Sequence, residues 1–334
     1  MFNIISMKKI IMLFLLFWCV KVNASIVVMD GSSGRVLYEK NMNEKKLIAS
    51  TTKIMTSIIA LENGNLSDKY IVGDEIKSVD GSSIYAKIGE EYTLEDLLYG
   101  LMLRSGNDAS MVISKNILGY DNFIALMNIK AYMLGMNNTS FENPHGLNYD
   151  TFNYSTAYDM ALLMKYAIKN KEFLKISSTK KYNDWYNKNE LLSDYKYLIS
   201  GKIGYTKKSG QVFVSAAKKD NKTLIIASID EADKFNLHKR LYEEYFDKYE
   251  LYKLLDKNTF TFKNKSNNHY YIMNDYYILL KDKEKDNLKI KIYLNNNTNF
   301  VSVFYDDILI HNEKLYSIVY KDRMKKLREK LLFF

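Results

Sequence analysis

A single cysteine, a single proline and four histidines serve 334 residues, and these scarcities close off several kinds of chemistry. Cys19 lies inside an N-terminal stretch, 1–24, that reads as a secretory signal. Lys8 and Lys9 give it a basic start, 10–20 is apolar, and Val22-Asn23-Ala24 offers small residues before a cut ahead of Ser25. Trp18 precedes the cysteine where a lipoprotein signal would carry a small residue. The exported chain then has no thiol, which excludes disulfides and cysteine catalysis. His145, His238, His269 and His311 stand too far apart for metal-ligand spacing, so neither a metal nor a cofactor is expected. The apolar run is about half the length a bilayer-spanning helix needs, which favours cleavage over a permanent anchor. No arginine-rich block exists, which argues against nucleic acid. Losing three lysines and no acids with the signal takes the formal charge from +9 to +6, a modest surplus suited to an anionic envelope or membrane surface. The single proline, among many Lys, Asn and Tyr, reflects genomic base composition.

Roughly 310 remaining residues suit two domains. Short apolar runs at 26–30 and 35–39, split by Gly31-Ser32-Ser33-Gly34, predict a hairpin. Residues 50–62 read as a helix with an apolar face of Ile54, Ile58, Ile59 and Leu61. A helix-rich block follows: Thr93 caps 94–103 with Asp96 three residues on, Ser105-Gly106-Asn107 breaks the chain before 108–118, 123–134 ends at Gly135, and 156–168 is amphipathic. Between the last two, Asn143-Pro144-His145-Gly146-Leu147 is a loop. Strand character returns at 201–205, 212–218 and 223–230, and a helix is expected from about 238 to 254. Strands at both ends with helices between them predict an α/β (α+β) domain over 25–250, one mixed sheet with a helical lobe. Beyond it, 270–281, 288–294, 300–305 and 315–320 alternate between Asn-rich turns, predicting a small β-sandwich over 251–320. The last stretch, 321–334, is a basic amphipathic helix able to lie on an anionic bilayer or to pack on its own domain.

Three short motifs carry the chemistry: Ser50-Thr51-Thr52-Lys53, Ser105-Gly106-Asn107 and Lys202-Ile203-Gly204. Ser-x-x-Lys alone says little, because it occurs six times, at Ser6/Lys9, Ser50/Lys53, Ser177/Lys180, Ser178/Lys181, Ser193/Lys196 and Ser215/Lys218. Only Ser50/Lys53 opens an apolar helix, where the i,i+3 spacing brings Lys53 to the Ser50 hydroxyl. A helix start also favours negative charge developing at Ser50. Lysine serves as a base only when desolvation and a neighbouring cation lower its pKa, and Lys202 is the candidate neighbour. Each motif has an ordinary reading beside this one: Ser50 as an N-cap, Ser105-Gly106-Asn107 as a helix stop and cap, Lys202 as a strand lysine with its head in water. Together they form the combination known from penicillin-binding proteins and class A β-lactamases. An exposed edge strand at Lys202 would also dock an extended peptide.

The flanking sequence resembles the low-molecular-mass penicillin-binding D-alanyl-D-alanine carboxypeptidases over about 25–250. The match lies in GRVLYEKN (34–41), ASTTKIMT (49–56), GEEYTLEDLLYGLMLRSGNDAS (89–110), LGMNNTSFENPHGLN (134–148), STAYDMALL (155–163) and GKIGYTKKSG (201–210). FVSAAKKD and FNLHKRL look most like the sporulation-associated branch. The resemblance implies a transpeptidase-like fold, with Ser50 as nucleophile, Lys53 as general base, Ser105 as proton relay and Lys202 as positive charge. Asn107, Ile203, Gly204 and the N–H of Tyr205 would contact substrate. It implies removal of terminal D-alanine from peptidoglycan stems through an acyl-serine, with β-lactams as inhibitors, in the extracytoplasmic envelope at the outer face of the cytoplasmic membrane. Ile203 departs from the family, which has threonine or serine there to bind a carboxylate. Losing that hydrogen bond, worth about 1.5–3 kcal/mol, predicts roughly ten- to a hundred-fold lower efficiency. Two rivals remain: a wall-peptide-binding scaffold impaired at the third motif, and a β-lactamase, which lacks a convincing Glu-x-x-x-Asn element here.

Overall fold

The computed structural model describes residues 24–264, 268–295 and 299–318. The signal-like segment 1–23 and the basic segment 321–334 lie outside these residues. Among those described, no helix is long and apolar enough to cross a membrane.

Five antiparallel strands make the central sheet: β1 (Ser25–Asp30), β2 (Val36–Lys40), β3 (Leu198–Thr206), β4 (Gly210–Lys219) and β5 (Lys222–Ile229), in the order β2-β1-β5-β4-β3. Both ends of the region thus meet in one sheet, with the helical lobe inserted between β2 and β3. Strand alternation sends Val27, Met29, Val214 and Ala227 into the helical lobe, and Val28, Phe213, Leu224 and Ile226 to the opposite face. Helix α7 (Lys234–Lys248) covers that second face with Leu237, Leu241, Tyr242 and Phe246. With both faces covered, the middle strands bury apolar residues on both sides.

In the helical lobe lie α1 (Lys53–Asn63), α2 (Leu94–Tyr99), α3 (Asn107–Ile117), α4 (Tyr120–Met133), α5 (Ala157–Ala167) and α6 (Lys171–Ser178). Helix α1 buries every residue from Lys53 to Ala60, so it runs through the core and buries more than the apolar face of Ile54, Ile58, Ile59 and Leu61. The capping box at Thr93 and Asp96 is present, but regular helix stops at Tyr99 and continues as a π-turn over Gly100–Arg104.

Two expectations fail beyond residue 230. The helix expected to reach 254 ends at Lys248, because the next residues form β6 (Glu250–Leu255) and pair with β9 (Tyr276–Leu280). No glycine or proline marks this stop. The buried Lys222 ammonium instead binds the carbonyls of Phe246 and Tyr249 at 2.7 and 3.0 Å. The single run expected over 270–281 is two strands, β8 (His269–Tyr271) and β9, with β7 (Thr261–Lys263) before them. β8 lies between β7 and β13 (Tyr316–Ile318). β10 (Leu288–Leu294), β11 (Asn299–Tyr305) and the unanticipated β12 (Ile308–Lys314) form another antiparallel sheet. Leu255, Ile278, Leu280, Val301 and Val303 are the core of this part.

The two parts meet at β1 and β9. The Leu279 N–H donates to Asp30 at 2.9 Å, and Arg35 donates to the Leu279 carbonyl at 3.0 Å and to both carboxylate oxygens of Glu284 at 2.8 and 2.9 Å.

Candidate active site

A strained turn presents Ser50. Ala49 has φ +46°, a left-handed conformation rare outside glycine, and opens a single 3-10 turn, Ala49–Thr52, ahead of α1. Thr51 fixes the turn by donating to the Ile48 carbonyl at 2.6 Å, and Asn153 holds Thr52 at 3.0 Å. Ser50 itself stays half-buried, open to a ligand.

Lys53 lies one turn on, fully buried. Its Nζ is 3.1 Å from Ser50 Oγ, 2.7 Å from Asn107 Oδ1 and 2.7 Å from the His145 carbonyl. Both 2.7 Å partners can only accept. Asn107 is held in that orientation because its Nδ2 donates to the Asp80 carbonyl at 2.5 Å. A neutral amine has two N–H groups and one lone pair. In that neutral form, with both N–H groups committed to these acceptors, Lys53 would turn its lone pair to the Ser50 hydroxyl. Burial first, then the Lys202 ammonium and more weakly Lys188, hold the Lys53 pKa well below the usual lysine range, against an opposing pull from Asp108.

The second motif ends the π-turn. Ser105 adopts φ +63°, ψ +34° and is almost fully buried, and α3 starts at Asn107. Asp108, next in line, gathers the loop over the site: it accepts from Ser83 Oγ at 2.5 Å, from Ile84 N–H at 3.1 Å and from Ala86 N–H at 3.2 Å.

The third motif rides on the edge strand β3. Lys202 is buried, and desolvation, with Lys188 nearby, lowers its pKa to about 7. Its Nζ donates to the Ile203 carbonyl at 3.1 Å. Ile203 pairs with Phe213 and packs, half-buried, on the outer cluster beneath α7. Gly204 is forced to be glycine, since a Cβ there would sit 2.9 Å from the Ser50 nitrogen and 3.1 Å from that of Thr51. Tyr205 follows, 59% exposed. All eight residues singled out from sequence therefore lie on three segments converging at Ser50.

Sequence reasoning missed four contributors. The His145 carbonyl is a main-chain group in a segment legible only as a loop. Gly146, at φ +88°, brings that loop so close that a Cβ would overlap the Ala49 carbonyl. The His145 ring accepts from Leu147 N–H at 3.0 Å through Nδ1, and burial together with Lys53 pushes its pKa down to about 3, so the ring stays neutral. Lys188 donates to Ser82 Oγ at 3.1 Å and adds positive charge from a connecting segment with no motif of its own.

The family model for D-alanyl-D-alanine carboxypeptidase, Peptidase_S11, matches residues 21–233. The chain belongs to this family. The match covers all three segments of the site. D-alanyl-D-alanine carboxypeptidase DacF of Bacillus subtilis is 38% identical over 214 residues, covering 59% of this chain and 54% of that protein. DacB2 of Mycobacterium tuberculosis is 32% identical over 210 residues, covering 60% of this chain and 72% of that protein. The chain thus spans between about half and three quarters of these curated family members. Among solved structures, a D-alanyl-D-alanine carboxypeptidase from Mycobacterium tuberculosis aligns with TM-score 0.63 at 29% identity, over 67% of this chain and 90% of that one. Penicillin binding protein 5 from Haemophilus influenzae aligns with TM-score 0.73 over 88% of this chain and 96% of that one. At 24% identity the latter establishes the fold alone, and its coverage includes the β-rich part beyond residue 250.

Proposed function

We propose that the protein is a serine D-alanyl-D-alanine carboxypeptidase that removes the terminal D-alanine from peptidoglycan stem pentapeptides. The observation that carries this reading is the Lys53 amine, 3.1 Å from Ser50 Oγ with its other partners fixed as acceptors. Ser50 Oγ attacks the penultimate D-alanine carbonyl while its proton passes to the Lys53 lone pair. The N–H groups of Ser50 and Tyr205 hold the oxyanion. Ser105 relays the proton to the leaving amine, the C–N bond breaks and D-alanine departs. Water then attacks the ester, giving its proton to Lys53, and Ser50 is restored. Lys202 supplies the charge that draws the substrate's terminal carboxylate, Asn107 holds Lys53 and the substrate backbone, and Gly204 lets that backbone approach. Penicillins would acylate the same serine.

In this reading residues 25–250 are the catalytic domain and 251–320 a β-rich domain. The segment 1–24 is an export signal, and 321–334 rests on the outer face of the cytoplasmic membrane. The deciding experiment is D-alanine release from a D-Ala-D-Ala stem pentapeptide by protein lacking residues 1–24, beside its Ser50→Ala form. Release that disappears in the variant is the expected result; no release from folded protein overturns the reading.

A further inference from the structure

At Tyr205, one residue past the Gly204 that abuts the Ser50 turn, opens a cleft of 680 Å³, walled by residues 147–150 on one side and 205–208 on the other; of these walls the catalytic steps use only the Tyr205 N–H. Both walls are built. Asn143 Nδ2 donates to the Leu147 carbonyl at 3.0 Å and to Thr151 Oγ1 at 2.8 Å. Opposite, Thr206 N–H donates to Ser209 Oγ and Ser209 N–H to Thr206 Oγ1, both at 3.0 Å, which fixes the turn carrying Lys207 and Lys208. Lys208 leans across the cleft, its Nζ 5.3 Å from the Phe152 ring centre. The rings of Tyr149 and Tyr205 are 69% and 59% exposed. Among the described residues neither Lys207 nor Lys208 has an ion-pair partner, and Asp150 has none either.

Charge fixes the direction in which a peptide lies on β3. The Lys202 ammonium, with Lys188 near it, stands at one end of the motif, so a terminal carboxylate belongs there. With the reacting carbonyl at Ser50 and Gly204, the upstream residues run the other way, past Tyr205 and Thr206, at about 3.3 Å per residue. The residue just before D-Ala-D-Ala therefore meets the cleft.

Building on the carboxypeptidase reading, we propose that this cleft is a subsite for the side chain of that residue, and that it takes a side chain ending in an amino-acid head group. The carboxylate of the head group sits against Lys207 and Lys208, its ammonium against Asp150, and the alkyl stem lies on the two tyrosine rings. A side chain ending in ammonium alone meets two lysines for one acid, and a neutral one leaves all three charges to water.

The test uses three pentapeptides that differ only at this residue: meso-diaminopimelate, L-lysine or L-norleucine. Two readouts are taken on each, kcat/KM for D-alanine release and Kd for the Ser50→Ala protein by calorimetry. The expected preference for diaminopimelate over norleucine is about five- to tenfold, since each exposed ion pair contributes modestly. Lysine should do no better than norleucine. The double variant Lys207→Ala/Lys208→Ala should bring the diaminopimelate-to-norleucine ratio close to one. Asp150→Asn should lower it about threefold. Equal values for all three peptides in both readouts, or a ratio that survives the double variant, overturn the subsite. If the Kd preference holds while no peptide releases D-alanine, the subsite stands and the carboxypeptidase reading falls.

Discussion

Replacing Ile203 with threonine should make the protein a faster and slightly less stable enzyme, two effects that move in opposite directions. Both residues are β-branched, so the extended backbone of β3 and its pairing with Phe213 should persist. Ile203 is half-buried on the outer cluster. Threonine loses about one methylene of that packing and sets a hydroxyl beside Phe213. At about 0.8 kcal/mol per fully buried methylene, discounted for exposure and raised by the hydroxyl, the cost is about 1 kcal/mol. That corresponds to a fall of about 2–4 °C in melting temperature for a domain of this size. The gain is a donor next to Lys202, where the carboxylate belongs. A hydrogen bond to a charged group contributes about 1.5–3 kcal/mol, hence about ten- to a hundredfold in kcat/KM. If the hydroxyl contacts only the carboxylate, which does not change charge during the reaction, the gain should appear mainly in KM. The assay is D-alanine release from a stem pentapeptide, paired with the second-order rate of penicillin acylation and a thermal melt. A folded Ile203→Thr protein showing the lowered melting temperature with no gain in either rate would refute the reasoning. It would mean that a side chain on the Phe213 face does not reach the ligand.

Two further outcomes follow from the same geometry. The reaction needs Lys53 neutral and Lys202 charged, so kcat/KM should rise with pH as Lys53 loses its proton and fall as Lys202 loses its own near 7. Lys202→Arg keeps the charge at every working pH, so in a pH profile of penicillin acylation it should abolish the descending limb, and an unchanged limb would reassign it to another group. Gly204→Ala forces a Cβ within 2.9 and 3.1 Å of two main-chain nitrogens at the nucleophile turn. Neither can swing aside as a side chain could, so acylation should drop at least about a hundredfold with near-UV dichroism preserved, and wild-type rates would show that the turn yields freely.

Much of the architecture was open to reading because its elements announce themselves locally. The hairpin of β1 and β2 follows from apolar runs about a glycine-bounded turn, and the start of α2 from Thr93 and Asp96. What escaped has no local signal. Nothing in the sequence after Lys248 stops α7: Tyr249 takes φ −124°, ψ +140° because Lys222, more than twenty residues earlier, binds its carbonyl and β9 offers a ladder to β6. Strand β12, with Ile308 and Leu309 exposed and Glu313 buried, inverts the polarity expected of a strand packed on a core. The π-turn before Ser105 likewise depends on what surrounds it and on no residue preference.

The catalytic reading makes the same point at atomic scale. Of the six Ser-x-x-Lys pairs, Ser6/Lys9 lies outside the described residues, and in four others the lysine is exposed: Lys180, Lys181, Lys196 and Lys218. An exposed ammonium keeps its hydration and with it the proton, so spacing cannot turn it into a base. In two of these pairs the serine is fully buried, yet Ser177 is taken up by Ser200 at 2.7 Å, and Ser215 by His238 at 2.8 Å and Tyr242 at 2.7 Å on the far side of the sheet. Lys53 differs because α1 carries it through the core, so water is replaced by two fixed acceptors and a neighbouring lysine. The i,i+3 spacing brings the amine to the hydroxyl; burial is what frees its lone pair. The chemistry of Ser50 is therefore a property of the packed helical lobe, and the segments that supply it, the loop at His145 and Gly146 above all, are those whose positions only the folded chain defines.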